Sequence, residues 1–245
     1  MIIFASLSVF LASVVKGITA FGFNLVAVSA LLFFLSPKLI VPVITLLSLL
    51  SSLYMLGSLM KHVQVKRILP LFIGGLAGIP GGVFLLVILK PEIIKMLIGV
   101  IVTAFSLLFA SGFRKEIKKE TPAFLLIGLI SGVLFGSTSL GGIPVILFFI
   151  NQDCDKITFR ANLTLYYTVM GAVSFLGFFQ GNLISAEVVK YCLILLLPMS
   201  LGIAAGMQLV HRVNEKLFKQ IALVIITASG IAAIITGLRG LCNWG

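Results

Sequence analysis

Two stretches of the chain, GITAFGFNLV at residues 17–26 and GSTSLGGIPV at residues 136–145, decide how the rest is read. They share Gly17/Gly136, Thr19/Thr138, Gly22/Gly141 and Val26/Val145. Each lies between two apolar arms, residues 2–15 and 21–35 in the first case, 122–135 and 143–150 in the second. Glycine and hydroxyl residues between apolar arms predict a helical hairpin broken at its tip. The break falls at KGITA in the first hairpin, and arms of this length, about 1.5 Å per residue, are short for a bilayer crossing.

Outward from each hairpin the pattern continues in parallel. Three longer apolar segments follow the first (39–60, 68–89, 93–112) and three follow the second (159–179, 188–210, 217–238). GIPGG at 78–82 aligns with GIAAG at 202–206, and VIVTA at 100–104 with VIITA at 224–228. Three matches in the same order make two copies of one unit: a first repeat over 1–113, a linker over 114–121 carrying RKEIKKE, and a second repeat over 122–245.

Composition sets the environment. Of 245 residues 60% are hydrophobic and only 10% charged, with mean hydropathy +1.24, whereas soluble domains carry roughly a quarter charged residues. Apolar runs near the roughly 20 residues that cross a hydrocarbon layer recur throughout. The expected fold is an all-α polytopic membrane protein with two inverted-topology repeats, each a short re-entrant-like hairpin plus three transmembrane helices. The N-terminus has no basic region and no small-residue cleavage pattern, so it reads as the first membrane segment rather than a signal peptide.

A hairpin plus three crossings gives each repeat an odd number of net crossings, so the second repeat is inverted relative to the first. One side then collects Lys61, Lys66, Arg67, Arg114, Lys115, Lys118, Lys119, Lys156, Arg160, Arg212, Lys216 and Lys219, and the other only Lys38, Lys90, Lys95, Lys190 and Arg239. The positive-inside rule makes the first side cytoplasmic and both termini external. The net charge of +11 resides in these connections, which argues against a nucleic-acid partner. Inverted repeats around a central site are a recurrent plan of secondary transporters.

The candidate site lies at the tips: Lys16, Gly17, Thr19, Gly22 and Asn24 of the first, and Thr138, Ser139, Gly141 and Gly142 of the second, with Arg160 just beyond. Helix-start amides and hydroxyls form a shell suited to an oxyanion. Small residues at such positions also serve plain helix packing, and repetition at both tips favours the site. Lys16, alone among basic residues deep in an apolar segment, either attracts an anion or snorkels to an interface. Arg160 has a plainer reading too, as a positive-inside residue. All seven acidic residues (Glu92, Glu116, Glu120, Asp153, Asp155, Glu187, Glu215) fall in or beside loops, which argues against a cation carrier. His62 and His211 lie at helix ends, so no side-chain proton relay is expected. Pro80 within GGLAGIPGG predicts a kink with tight packing, and Pro198 has a comparable place in the second repeat.

Other chemistries fail on detail. Gly17 and Gly22 have P-loop spacing, but Phe23 and Asn24 stand where Lys and Ser/Thr are required. STSLG around Ser139 lacks the first glycine of a GxSxG elbow. Cys154, Cys192 and Cys242 are three in number and far apart, suggesting neither disulfides nor a zinc site. No enzyme activity, metal or cofactor is expected.

The tip GITAFGFNLV, its echo GSTSLGGIPV and the GIPGG helix resemble the sulfite exporter family of TauE/SafE type, also called the toluene sulfonate uptake permeases. The resemblance extends over nearly the whole chain. It implies movement of a small sulfur anion, with sulfite export across the cytoplasmic membrane the favoured choice, by alternating access at the hairpin tips. The residues alone give only "small anion". An anion channel, an organosulfonate uptake carrier and a non-transporting scaffold stand as alternatives. Sulfur anion and bilayer are the expected partners, and a homodimer is allowed. Asn24 pairs with Ile143 and Lys16 with Phe135, so any role for these two is asymmetric.

Overall fold

The computed structural model describes residues 2–32, 34–110, 120–151 and 155–210. The segment expected at 217–238, the 114–119 part of the linker, and Cys154, Cys242, His211, Arg212, Lys216, Lys219, Arg239, Asp153, Glu116 and Glu215 lie outside the described residues. Within them the structure is helical: α1 (Ile2–Thr19), α2 (Phe23–Leu31), α3 (Pro37–Leu59), α4 (Val65–Ile88), α5 (Pro91–Ala110), α6 (Glu120–Thr138), α7 (Gly142–Asn151), α8 (Lys156–Gln180) and α9 (Ala186–Leu209). Five of these, α1, α3, α4, α8 and α9, are long and apolar enough to cross a membrane.

The exterior is a lipid-like surface. Leu193, Leu197 and Leu201 form an exposed i, i+4, i+8 stripe on α9, and Ile3, Leu7 and Leu11 do the same on α1. Aliphatic rows of this kind belong against hydrocarbon rather than water. The chain is a polytopic helical membrane protein.

The hairpins are lopsided rather than short in both arms. Helix α1 runs on through Lys16 to Thr19, and the break falls at Ala20–Gly22 instead of at KGITA. With 18 residues α1 is about 27 Å long, near a full crossing, while the 9-residue α2 is about 14 Å. The second hairpin repeats this with 19 residues in α6 and 10 in α7. The reason lies in packing: Gly17 stays helical where it lies against Gly206 of α9, so the lysine–glycine pair does not stop α1.

Both first arms end in the same way. Ala20 and Ser139, which are aligned in sequence, adopt left-handed φ values of 66° and 63°, the usual conformation just past a helix C-terminus. The Thr19 hydroxyl oxygen accepts the Phe21 N–H at 3.2 Å, and that of Thr138 accepts the Leu140 N–H at 3.3 Å. Each hydroxyl also reaches the carbonyl four residues back, Val15 O at 2.8 Å and Leu134 O at 2.7 Å. Gly22 then turns the chain into α2 at φ 89°, which a side chain would strain.

Long helices pack through small residues. Helix α4 lies along α6 with glycines meshed from both sides. A Cβ on Gly74, Gly78 or Gly82 would stand 2.2–2.3 Å from the α6 carbonyls of Leu125, Leu129 and Val133, and one on Gly132 only 2.1 Å from Gly75 O. Helix α1 lies on α9 in the same manner, with Gly17 against Gly206 and Gly202 against Phe10 O and Ser13. Such close approach drives association where lipid removes the hydrophobic difference between helix faces. The partners exchange under the correspondence α1/α6, α3/α8, α4/α9: α4 packs on α6 and α9 on α1, α4 on α8 and α9 on α3, and α3 on α8. Pro70 and Pro80 are both accommodated within a helix that continues from Val65 to Ile88.

Candidate functional site

The two hairpin tips meet. Asn24, at the start of α2, donates its side-chain amide to Ser139 O at 2.7 Å and Ser139 Oγ at 2.9 Å, across a sequence separation of 115. Thr45 of α3 shares a 2.9 Å hydrogen bond with the same Ser139 hydroxyl. Asn24 is buried, and its carbonyl Oδ1 has no hydrogen-bond partner among the described residues.

Lys16 is 1% exposed. It does not snorkel. Its ammonium reaches inward to α3, donating to Ser48 O and Ser52 Oγ at 2.8 Å and to Ser48 Oγ and Ser51 Oγ at 2.9 Å. The rings of Phe23 and Tyr167 flank it at 5.6 and 5.2 Å to their centroids, within cation–π range. Every one of these partners is uncharged. A desolvated cation of this kind is costly unless something negative visits it.

Arg160, on the second turn of α8, is buried as well. Its Nη2 donates to Gly17 O at 2.8 Å, joining α8 of the second half to the end of α1 in the first. Its Nε, pointing into the protein, has no partner among the described residues. Two buried basic residues therefore tie the end of α1 to other helices: Lys16 reaches α3, and Arg160 of α8 bonds the carbonyl of the next residue, Gly17. Thr164 and Tyr167 continue the Arg160 face of α8 at i+4 and i+7, and Thr164 Oγ1 is likewise buried and unpartnered.

The glycines divide into two roles. Gly142 opens α7 directly under the Tyr167 hydroxyl, where a Cβ would lie 1.8 Å from that oxygen. Gly141 fits between Ser131 O and Phe135, and its carbonyl accepts the Ser131 hydroxyl, which also pairs with the Tyr166 hydroxyl at 2.5 Å. Gly17 and Gly136 are packing glycines against α9 and α4. Thr19 and Thr138, with their hydroxyl protons given to backbone carbonyls, hold the helix ends.

Sequence reasoning missed Ser48, Ser51 and Ser52. Their signal was present in TLLSLLSS, where Thr45, Ser48 and Ser52 recur on one face of an otherwise apolar α3. Asn162 lies two residues beyond Arg160 on α8. It is fully buried, accepts the Gln64 N–H at 2.9 Å and so caps the start of α4.

A polytopic helical protein with broken hairpins meeting around buried cations has the makings of a membrane transporter for an anion. Residues 5–233 match the sulfite exporter TauE/SafE family, and the chain belongs to that family of membrane transporters. No curated protein and no solved structure gave a significant match.

Proposed function

We propose that the protein is a secondary transporter for a small sulfur oxyanion, with sulfite the favoured substrate and export across the cytoplasmic membrane the favoured direction. The carrying observation is the buried Lys16 ammonium, held by neutral oxygens beside the Asn24–Ser139 junction of the two tips. An anion at that junction supplies the charge that the surrounding side chains lack. The Arg160 guanidinium and the Thr164 hydroxyl, which has no partner among the described residues, add donors along the same face of α8, and the first amides of α2 and α7 add partial positive charge. Sulfur as the central atom comes from the family.

On this reading the two repeats are inverted, the tips lie near the membrane midplane, both termini face outward, and access alternates around the tips. The exchange of helix partners between the halves supports it, as does the shared left-handed turn at Ala20 and Ser139. The meshed glycines bind α4 to α6 and α1 to α9 across the repeats, so the units that move as rigid bodies combine helices of both repeats. A panel of sulfite, sulfate, thiosulfate and alkylsulfonates added to purified protein tests the substrate. Sulfite should raise the unfolding temperature saturably, and the shift should vanish when Gly142 is replaced by a bulky residue that leaves the protein inserted. Equal shifts from all four anions, or none from any, would refute the assignment.

A further inference from the structure

We propose that Lys16 is a built-in counter-cation: its ammonium fills a four-oxygen cage on α3 that would otherwise take a dissolved monovalent cation, so the anion moves without a bound sodium ion at this site. The inference rests on the anion-carrier reading only for the purpose of the charge; the cage itself stands on geometry.

Four oxygens, one carbonyl and three hydroxyls, surround Nζ at 2.8–2.9 Å. They come from Ser48, Ser51 and Ser52, so a single helix presents a concave set of oxygen ligands. Neutral carbonyl and hydroxyl oxygens are the donor set that hard monovalent cations use, and in transporters such ligands near broken helices coordinate coupling ions. The spacing is longer than the roughly 2.3–2.6 Å of calcium coordination and matches an ammonium hydrogen bond. The two aromatic faces of Phe23 and Tyr167 close the cage from the other side and favour a positive occupant. The Ser51 hydroxyl also lies 2.9 Å from Ser48 O, which holds the cage in shape. Lys16 thus has a constructed socket, and the chain supplies from its own side chain the charge that other carriers borrow from solution.

The socket makes a specific chemical prediction. Lys16→Ala removes the side chain from Cγ to Nζ, the same set of atoms as propylammonium, and leaves the serine oxygens in place. Purified Lys16→Ala should gain several degrees of thermal stability on saturation with propylammonium chloride, whereas wild type and Lys16→Met, whose side chain fills the stem volume, should gain none. In vesicles, wild-type sulfite flux should be the same with external sodium or N-methylglucamine. Lys16→Ala should lose about tenfold or more of that flux and recover part of it with propylammonium, the scale expected for removing a buried charge from its site.

Stabilisation of Lys16→Ala no greater than that of wild type would overturn the socket, and wild-type flux that requires sodium would overturn the counter-cation role. Should Lys16→Ala fail to fold, Lys16→Met decides: loss of flux about tenfold upholds the proposal, and full flux in sodium-free medium refutes it. The stability arm contains no transported anion, so it reports on the cage even if the protein moves some substrate other than sulfite.

Discussion

Replacing Gly132 by alanine should break the packing of α4 on α6, and the size of the effect follows from one distance. The new Cβ would stand 2.1 Å from Gly75 O and 2.9 Å from Gly75 Cα and C. Ordinary contact begins at 3.4 Å, so the helices must part by about 1.3 Å (3.4 − 2.1). All the obstructing atoms are backbone, and no rotamer change relieves them. Parting also loosens the neighbouring contacts of Gly74, Gly78, Gly128 and Gly136, which lie in the same seam. Overpacking costs typically about 1–3 kcal/mol, and a backbone clash repeated along a seam belongs at the upper end, about 3 kcal/mol, more than a hundredfold in the folding equilibrium. Gly81→Ala is the control: the same change on the partner helix α4, with nothing within 4 Å of the added methyl. It should alter stability by no more than about 0.5 kcal/mol. Unfolding of the purified variants in detergent, followed by helical circular dichroism, measures both. A Gly132→Ala protein as stable as Gly81→Ala would refute the meshed seam.

Three further outcomes are expected. Arg160→Gln, which cannot charge the tip, should lower sulfite flux about tenfold or more, and Arg160→Lys should not restore it fully, because an ammonium lacks the planar fork that holds Gly17 O through Nη2 while Nε points elsewhere; initial-rate flux in vesicles decides. A double-mutant cycle of Asn24→Ala and Ser139→Ala should give a coupling of about 0.5–2 kcal/mol in unfolding experiments, the range for hydrogen bonds between buried membrane helices; additive effects would separate the tips. Asp155 caps α8 through 3.0 Å bonds from the Ile157 and Thr158 amides, and the Thr158 hydroxyl, with those amides, holds its carboxyl below the ordinary 3.8. A depressed folded value stabilises above the unfolded pKa and is lost as pH falls through the folded one. Asp155→Ala should therefore cost about 1 kcal/mol at neutral pH and nothing in strong acid, as read from stability measured across pH.

Much of the fold was legible because membrane helices announce themselves by length and apolarity. The repeated tip motif was equally plain, since glycine and threonine at matching positions encode the same backbone turn in both hairpins. Less legible was where the break would fall. Lysine and glycine at residues 16 and 17 read as breakers, yet a lysine suits a helix C-terminus and the Gly17 backbone stays helical against α9. The Lys16 socket was hidden for a different reason. Serines on α3 carry no mark of which distant lysine they will meet, and the 32- to 36-residue separation is set by how α1 and α3 pack. Arg160 looked like one more cytoplasmic charge, because exposure and burial near a helix start give the same local sequence. Its grip on Gly17, 143 residues away, is purely tertiary.

Carriage of a sulfur anion by buried cations beside two meeting hairpins shows itself in counterflow. Vesicles containing purified protein are loaded with unlabelled sulfite and diluted into a trace of labelled sulfite with the voltage clamped. Wild type should show transient, saturable accumulation of label, and Arg160→Gln none. Absence of accumulation in wild type, or a current that rises linearly with sulfite and ignores the trans side, would contradict it.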